Sequence, residues 1–213
     1  MTGFVTGYAT ITSLNILFLG VQHGCALFKY VGYKLEHLID ENEFHQEEIP
    51  ISKIYEKIRQ RIIISIKLHK RTFEYMDFMN SICAYFFLIA LMFEVLIIGM
   101  DFFKLQSTAD IFQSKRNLLL LIVYIPGSLL VIYLTCRMGQ DVLDSSENVL
   151  EKARMVPWYL LPPKMQKAAI LIMIRSKKPC YLTIGKIFVS SHLFFTSIVR
   201  TAMSYATMAH SLR

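Results

Sequence analysis

The sequence predicts an all-α membrane protein: four transmembrane helices with cytoplasmic helical extensions. Three observations carry this. Of 213 residues, 54% are hydrophobic and only 18% charged, with a mean hydropathy of +0.42, which is more apolar than an ordinary soluble domain. Thr2 to Phe28 and Asn117 to Cys136 contain no Asp, Glu, Lys or Arg, and about 20 apolar residues cross the roughly 30 Å hydrocarbon layer. The basic residues collect beside the apolar runs, as at the cytoplasmic ends of membrane helices.

The first span covers about Phe4 to Tyr30. Gly3 and Gly7, then Gly20 and Gly24, stand at GxxxG spacing. Either they let another helix approach closely, or they reflect the general frequency of glycine in membrane helices. Glu36 to Glu48 is a polar stretch holding Asp40, Glu41, Glu43 and Glu47, ended by Pro50. It reads as a solvated loop, since His37 and His45 lack the i, i+4 spacing of a helical metal site.

From Ile51 the pattern turns helical: Ile51, Ile54, Ile58, Ile62, Ser65, His69, Phe73 and Met76 share one face, with Lys53, Lys57 and Arg61 on another. No Gly or Pro separates this stretch from the second span, about Phe78 to Met100, so one long helix is expected. After a polar turn, Gln106 to Arg116, the third span runs from about Leu118 to Arg137 with Pro126 and Gly127 at its centre. Membrane helices tolerate such a proline when neighbours or water satisfy the freed carbonyl. Past Gly139 the helix continues as a polar extension through Asp141 to Arg154.

Pro157, Pro162 and Pro163 break the chain around Trp158. A second amphipathic helix, Lys164 to Ile174, is followed by Arg175, Lys177 and Lys178, and Pro179 precedes the fourth span, about Leu182 to Leu212. Lys and Arg are dense between spans one and two and before span four, and sparse between spans two and three. The positive-inside rule places the two rich segments in the cytoplasm and both ends of this chain outside.

Two charges fall inside spans, Glu94 in the second and Arg200 in the fourth. A central Arg costs about 2.5–3.5 kcal/mol on insertion, against about 0.3–0.6 returned by each Leu or Ile. Two readings fit Arg200: it lines an aqueous pathway, or it snorkels or pairs internally with Glu94. Ser197, Thr201, Ser204, Thr207 and Ser211 recur at steps of three and four, one helical face. Such a stripe suits a wet pore, and interhelical hydrogen bonding as well. Aromatics in the outer halves of the spans (Phe4, Tyr8, Phe86, Phe87, Phe93 and Tyr124) serve packing or a pocket for small volatile molecules.

Several function classes are disfavoured. No nucleophile–base pair, phosphate loop or metal-ligand spacing points to an enzyme. The net charge of +7 is not a nucleic-acid signal, because the basic residues flank apolar runs instead of forming one stripe with stacking aromatics. Cys25, Cys83, Cys136 and Cys180 have no CxxC pairing and read as small packing residues. The start lacks the basic n-region of a signal peptide. An unrelated four-helix transporter should show internal repeats, and none is found.

The C-terminal third carries a family resemblance. Trp158-Tyr159, Lys167, Ile172-Met173-Ile174-Arg175-Ser176, Lys178-Pro179 and Leu182-Thr183, continued by Gly185, Phe194-Phe195, Ile198, Arg200 and Ser204-Tyr205, resemble the insect odorant receptor signature. The match is close over Cys136 to Arg213, while the preceding residues agree in helix order and loop character. The gustatory TY…QF ending is absent, as are the DRY and NPxxY motifs of rhodopsin-like receptors.

The resemblance implies a seven-helix, odorant-gated cation channel subunit in the plasma membrane of olfactory sensory neurons. It implies no cofactor, and assembly as tetramers with the odorant receptor co-receptor. The four spans would be the fourth to seventh helices, the chain being the back half of a receptor about twice as long. Residues 1–140 would then hold helices four to six with the cytoplasmic loop 36–76, residues 141–179 the cytoplasmic anchor segment, and residues 180–213 the last, pore-lining helix. Met208, Ser211 and Leu212 match the gate, Met208 standing where a valine or other apolar residue is common. Arg200 and Ser204 are polar positions of the pore helix, and Tyr8, Thr12 and Tyr124 are the odorant-contact candidates. The rival expectation is a truncated, non-conducting receptor fragment that acts only as an interaction partner.

Overall fold

The computed structural model describes residues 2–39, 50–107 and 115–211. In chain order these form α1 (Thr2–Glu36), α2 (Ile51–Ser107), α3 (Lys115–Met155), a single 3-10 turn (Trp158–Leu160), α4 (Pro163–Ser176), β1 (Thr183–Ile184), β2 (Phe188–Val189) and α5 (His192–Ser211). Most of the acidic loop after α1 lies outside the described residues, as does the centre of the turn between α2 and α3.

The long helix expected from Ile51 onward is continuous over 57 residues. At 1.5 Å per residue it extends for about 85 Å, roughly twice a bilayer with its headgroups. Likewise, α3 runs unbroken through Pro126 and Gly139 into its polar end at Met155.

The chain divides into two compact units, Met1–Met79 with Asp141–Tyr181, and Asn80–Gln140 with Leu182–Arg213. In the first unit, α1 buries Val21, Cys25, Phe28, Val31 and Leu35, steps of three and four that keep one face inward. On α2 the buried row is Ile54, Ile58, Ile62, Ser65, His69, Thr72, Met76 and Met79, the face the periodicity marked. Lys53 and Lys57 are exposed, as expected. Each fully buried Ile or Leu here contributes about 1.5–3 kcal/mol where the reference is water.

Glycine settles how closely α1 and α2 approach. A Cβ on Gly20 would lie 2.6 Å from Met79 Cε, and one on Gly24 would overlap Met76 Sδ. The Tyr75 hydroxyl donates to the Gly20 carbonyl at 2.9 Å. Of the two readings of the Gly20/Gly24 pair, the structure supports close helix approach.

The polar end of α3 inserts Val142, Val149 and Ala153 into the same unit. Lys152 on it pairs with Glu36 at 2.7 Å. Proline starts α4, where a missing N–H costs nothing, and the Gln166 amide donates to the Leu161 carbonyl at 2.8 Å. The far end of α4 is fixed by the Ser176 hydroxyl, 3.0 Å from His69 Nε2, while the Arg175 guanidinium sits 4.2 Å over the Phe73 ring.

In the second unit, Cys83, Ala84 and Phe87 of α2 and Ile132, Cys136 and Met138 of α3 are buried with Leu182 and Ile184. Here the chain departs from the sequence expectation. Leu182 to Val189 is not the start of a helix. Thr183 pairs with Val189 and Ile184 with Phe188 in an antiparallel hairpin, turned by Gly185 at φ 62 and Lys186 at φ 59. Three residues, Gly185 to Ile187, join the paired Ile184 and Phe188, and the Ile187 N–H donates to the Ile184 carbonyl at 3.2 Å; glycine takes the positive φ there without steric cost. The last helix therefore starts at His192 and has 20 residues, about 30 Å and just sufficient to span.

One face of the upper part of α2 is apolar yet uncovered. Phe78, Ile82, Tyr85, Ile89, Phe93 and Leu96 are 43–62% exposed, a contiguous stripe larger than soluble monomers usually leave in water. Among the described residues, Leu14–Glu36 and Ser52–Phe93 are long and apolar enough to cross a membrane.

Candidate functional site

The site expected from the sequence is the last helix. The Ser191 hydroxyl accepts from the Phe194 N–H at 3.3 Å and so caps its start. Along α5, Arg200, Ser204, Met208 and Ser211 succeed one another at steps of four, four and three, hence on one face. Arg200 and Ser204 are exposed, and Met208 is 54% exposed. The side chain of Ser211 lies outside the described residues, as does Leu212 entirely. The Glu94 side chain is outside them too.

Along the hydroxyl stripe and beside it, the threonine donors turn back to the helix's own carbonyls. Thr196 Oγ1 donates to the His192 carbonyl at 2.6 Å, Thr201 Oγ1 to Ser197 at 2.8 Å, and Thr207 Oγ1 to Ser204 at 2.9 Å. A threonine bonded this way still offers its oxygen lone pairs outward. The face thus presents hydroxyl acceptors and one guanidinium, a surface that suits water better than hydrocarbon.

Tyr8 and Thr12 stand one turn apart on α1, where Thr12 is exposed and the Tyr8 side chain is outside the described residues. Tyr124 lies on α3 two residues before Pro126, its side chain likewise outside them.

Sequence reasoning missed the polar fastening of the segment that leads into α5. In the first unit, Ser146 Oγ accepts from the Cys180 N–H at 3.0 Å and donates to the Cys180 carbonyl at 3.3 Å. In the second, Asn80 Oδ1 accepts from both the N–H and the hydroxyl of Thr183, at 2.8 and 3.0 Å. Ser190 Oγ donates to the Thr135 carbonyl at 2.8 Å. The one sequence signal was a three-residue connection containing glycine, Gly185 to Ile187, between Thr183-Ile184 and Phe188-Val189.

All four cysteines are buried free thiols. Burial pushes the Cys180 thiol up to about 11, so almost none of it is the reactive thiolate at neutral pH.

Long helices with an uncovered apolar stripe, and a last helix with a polar one, fit a helical membrane protein. The chain matches the family described as 7tm Odorant receptor over residues 1–203, and it belongs to that family. Odorant receptor 10 of Aedes albopictus is 24% identical over 148 residues, 70% of this chain and 38% of that protein. Odorant receptor 9a of Drosophila melanogaster is 23% identical over 197 residues, 92% of this chain and 46% of that protein. Odorant receptor 10a of Drosophila melanogaster is 24% identical over 214 residues, 98% of this chain and 51% of that protein. The chain spans about half the length, or less, of the curated relatives it matches. The proteins of this family are receptors, not enzymes.

Proposed function

We propose that this chain is an odorant receptor subunit whose last helix lines a cation pathway, opened when a small volatile ligand binds among the outer parts of its helices. It acts in complex with the odorant receptor co-receptor, in the plasma membrane of olfactory sensory neurons. Its spans are helices four to seven of a seven-helix receptor. Residues 51–76 and 141–179 form the cytoplasmic anchor, and both ends of this chain face outside. Tyr8, Thr12 and Tyr124 contribute to the odorant pocket, Arg200 and Ser204 to the polar lining, and Met208, Ser211 and Leu212 to the gate.

The observation that carries the reading is the arginine and the row of hydroxyls on one face of α5, a helix exposed all round from Arg200 to Ser204. Against hydrocarbon, a mid-helix arginine costs about 2.5–3.5 kcal/mol; against water or a neighbouring subunit that cost is relieved. Arg200 and Ser204 are exposed on the same face as Met208. Binding shifts the pore between two states only to the extent that the ligand prefers the open one.

Patch recording from cells expressing the complete receptor with the co-receptor tests this. Odorant-evoked cation current is expected, and Leu212→Ala should raise the basal current by widening the apolar constriction. Unchanged basal current would move the gate off Leu212. The second reading, a non-conducting partner subunit, takes over if no odorant evokes current.

A further inference from the structure

The hairpin before α5 is held by bonds that reach two other helices of the same unit. From α2, Asn80 Oδ1 accepts twice from Thr183, and the Ala84 carbonyl accepts from the Gly185 N–H at 2.8 Å. From α3, the Thr135 carbonyl accepts from Ser190 Oγ, and Gln140 Oε1 accepts from the His192 N–H at 3.3 Å. Contact is equally close. A Cβ on Gly139 would overlap the backbone carbonyl and side chain of Ser190, and one on Gly185 would stand 3.0 Å from both Leu88 methyl carbons. Leu182, Ile184 and Ser190 are at most 2% exposed.

Such a device differs from an ordinary loop. A loop that only connects needs length; this one satisfies its polar groups with fixed partners on α2 and α3 and ends at the capping residue of α5. In a low-dielectric surrounding each of those bonds is costly to leave unmade. The segment therefore moves with the two helices that hold it.

We propose that residues 182–191 are a clamp that delivers displacements of α2 and α3 to the first turn of α5, with Asn80, Gly139 and Ser190 as its positioning residues. The proposal rests on reading α5 as the pore-lining helix. It also gives a task to Thr183 and Gly185, two of the residues that carry the family resemblance.

The test compares Asn80→Leu with Asn80→Asp in the complete receptor with its co-receptor. The aspartate keeps a carboxylate oxygen where the amide oxygen stood. Surface labelling counts receptors, hydrogen exchange follows the amides of 183–190, and recordings give the odorant concentration for half-maximal current. Asn80→Leu should speed exchange in the hairpin and shift that concentration by roughly 2- to 30-fold. The reversal potential should not change, and Asn80→Asp should restore both readouts. Unchanged exchange overturns the clamp. Faster exchange with an unmoved half-maximal concentration overturns the delivery step, as does a current that simply follows receptor number. Where Asn80→Leu fails to reach the surface, Ser190→Ala, which removes one bond, is read by the same criteria. A wild-type receptor silent to every odorant defeats the channel reading by itself, while the exchange data still decide the clamp.

Discussion

The two halves of α2 have the same buried row and different opposite faces. Below Met79 the exposed residues include Lys53, Lys57, Lys67, Lys70 and Glu74 beside Ile63, Ile64 and Ile66, a mixed face. Above it Ile82, Tyr85, Ile89, Phe93 and Leu96 are 43–62% exposed, an apolar one. A helix in water needs a polar outer face, and one in lipid needs an apolar one. On the proposed reading, that difference along one uninterrupted helix marks a passage from water into lipid.

The sharpest way to break that comparison is to place the same charge on each half. Ile89→Lys exchanges a favourable residue for a lysine in the middle of the apolar stripe, at about 3–4 kcal/mol on insertion scales. Ile64→Lys, at an exposed position of the lower half, should change stability by no more than about 0.5 kcal/mol. Membrane-insertion and surface-expression assays of both variants should show a strong defect in the first and none in the second. Equal tolerance would mean that both halves meet the same medium.

A smaller effect sharpens the account of what holds the lower half in place. Gly24→Val would force its added carbons against Met76 and Tyr75, at about 1–3 kcal/mol for overpacking. Thermal melting of the detergent-solubilised protein should fall by several degrees. Gly127→Ala, where an added Cβ meets nothing within 4 Å, is the matched control and should leave the melting temperature within a degree or two.

Much of this was legible in the sequence because it is written in local periodicity. The buried face of α2 from Ile54 to Met76 follows from steps of three and four, and its continuity follows from the lack of Gly or Pro between Ile51 and Ile98. The hairpin was not legible in the same way. Leu182 to Val189 is apolar enough to pass as the start of a span, and its strands are two residues each. What makes them strands is Asn80 and Thr135, which lie 103 and 55 positions away in sequence. Along α5 the polar face could be read from spacing, whereas the threonine hydroxyls' return to their own helix depends on rotamers that a sequence pattern does not specify.

The central claim is that the polar face of α5 meets water along an ion pathway. Cysteine substitution at Arg200, Ser204 and Met208 tests it most directly. Cys25, Cys83, Cys136 and Cys180 are all buried, and the unsubstituted receptor, treated in parallel, gives the background from every other thiol. The account predicts that a charged, membrane-impermeant thiol reagent modifies Ser204→Cys and Met208→Cys in the complete receptor, blocks most of the odorant-evoked current, and acts faster when odorant is present. Cysteines at these positions that never react, or react without altering the current, would contradict it.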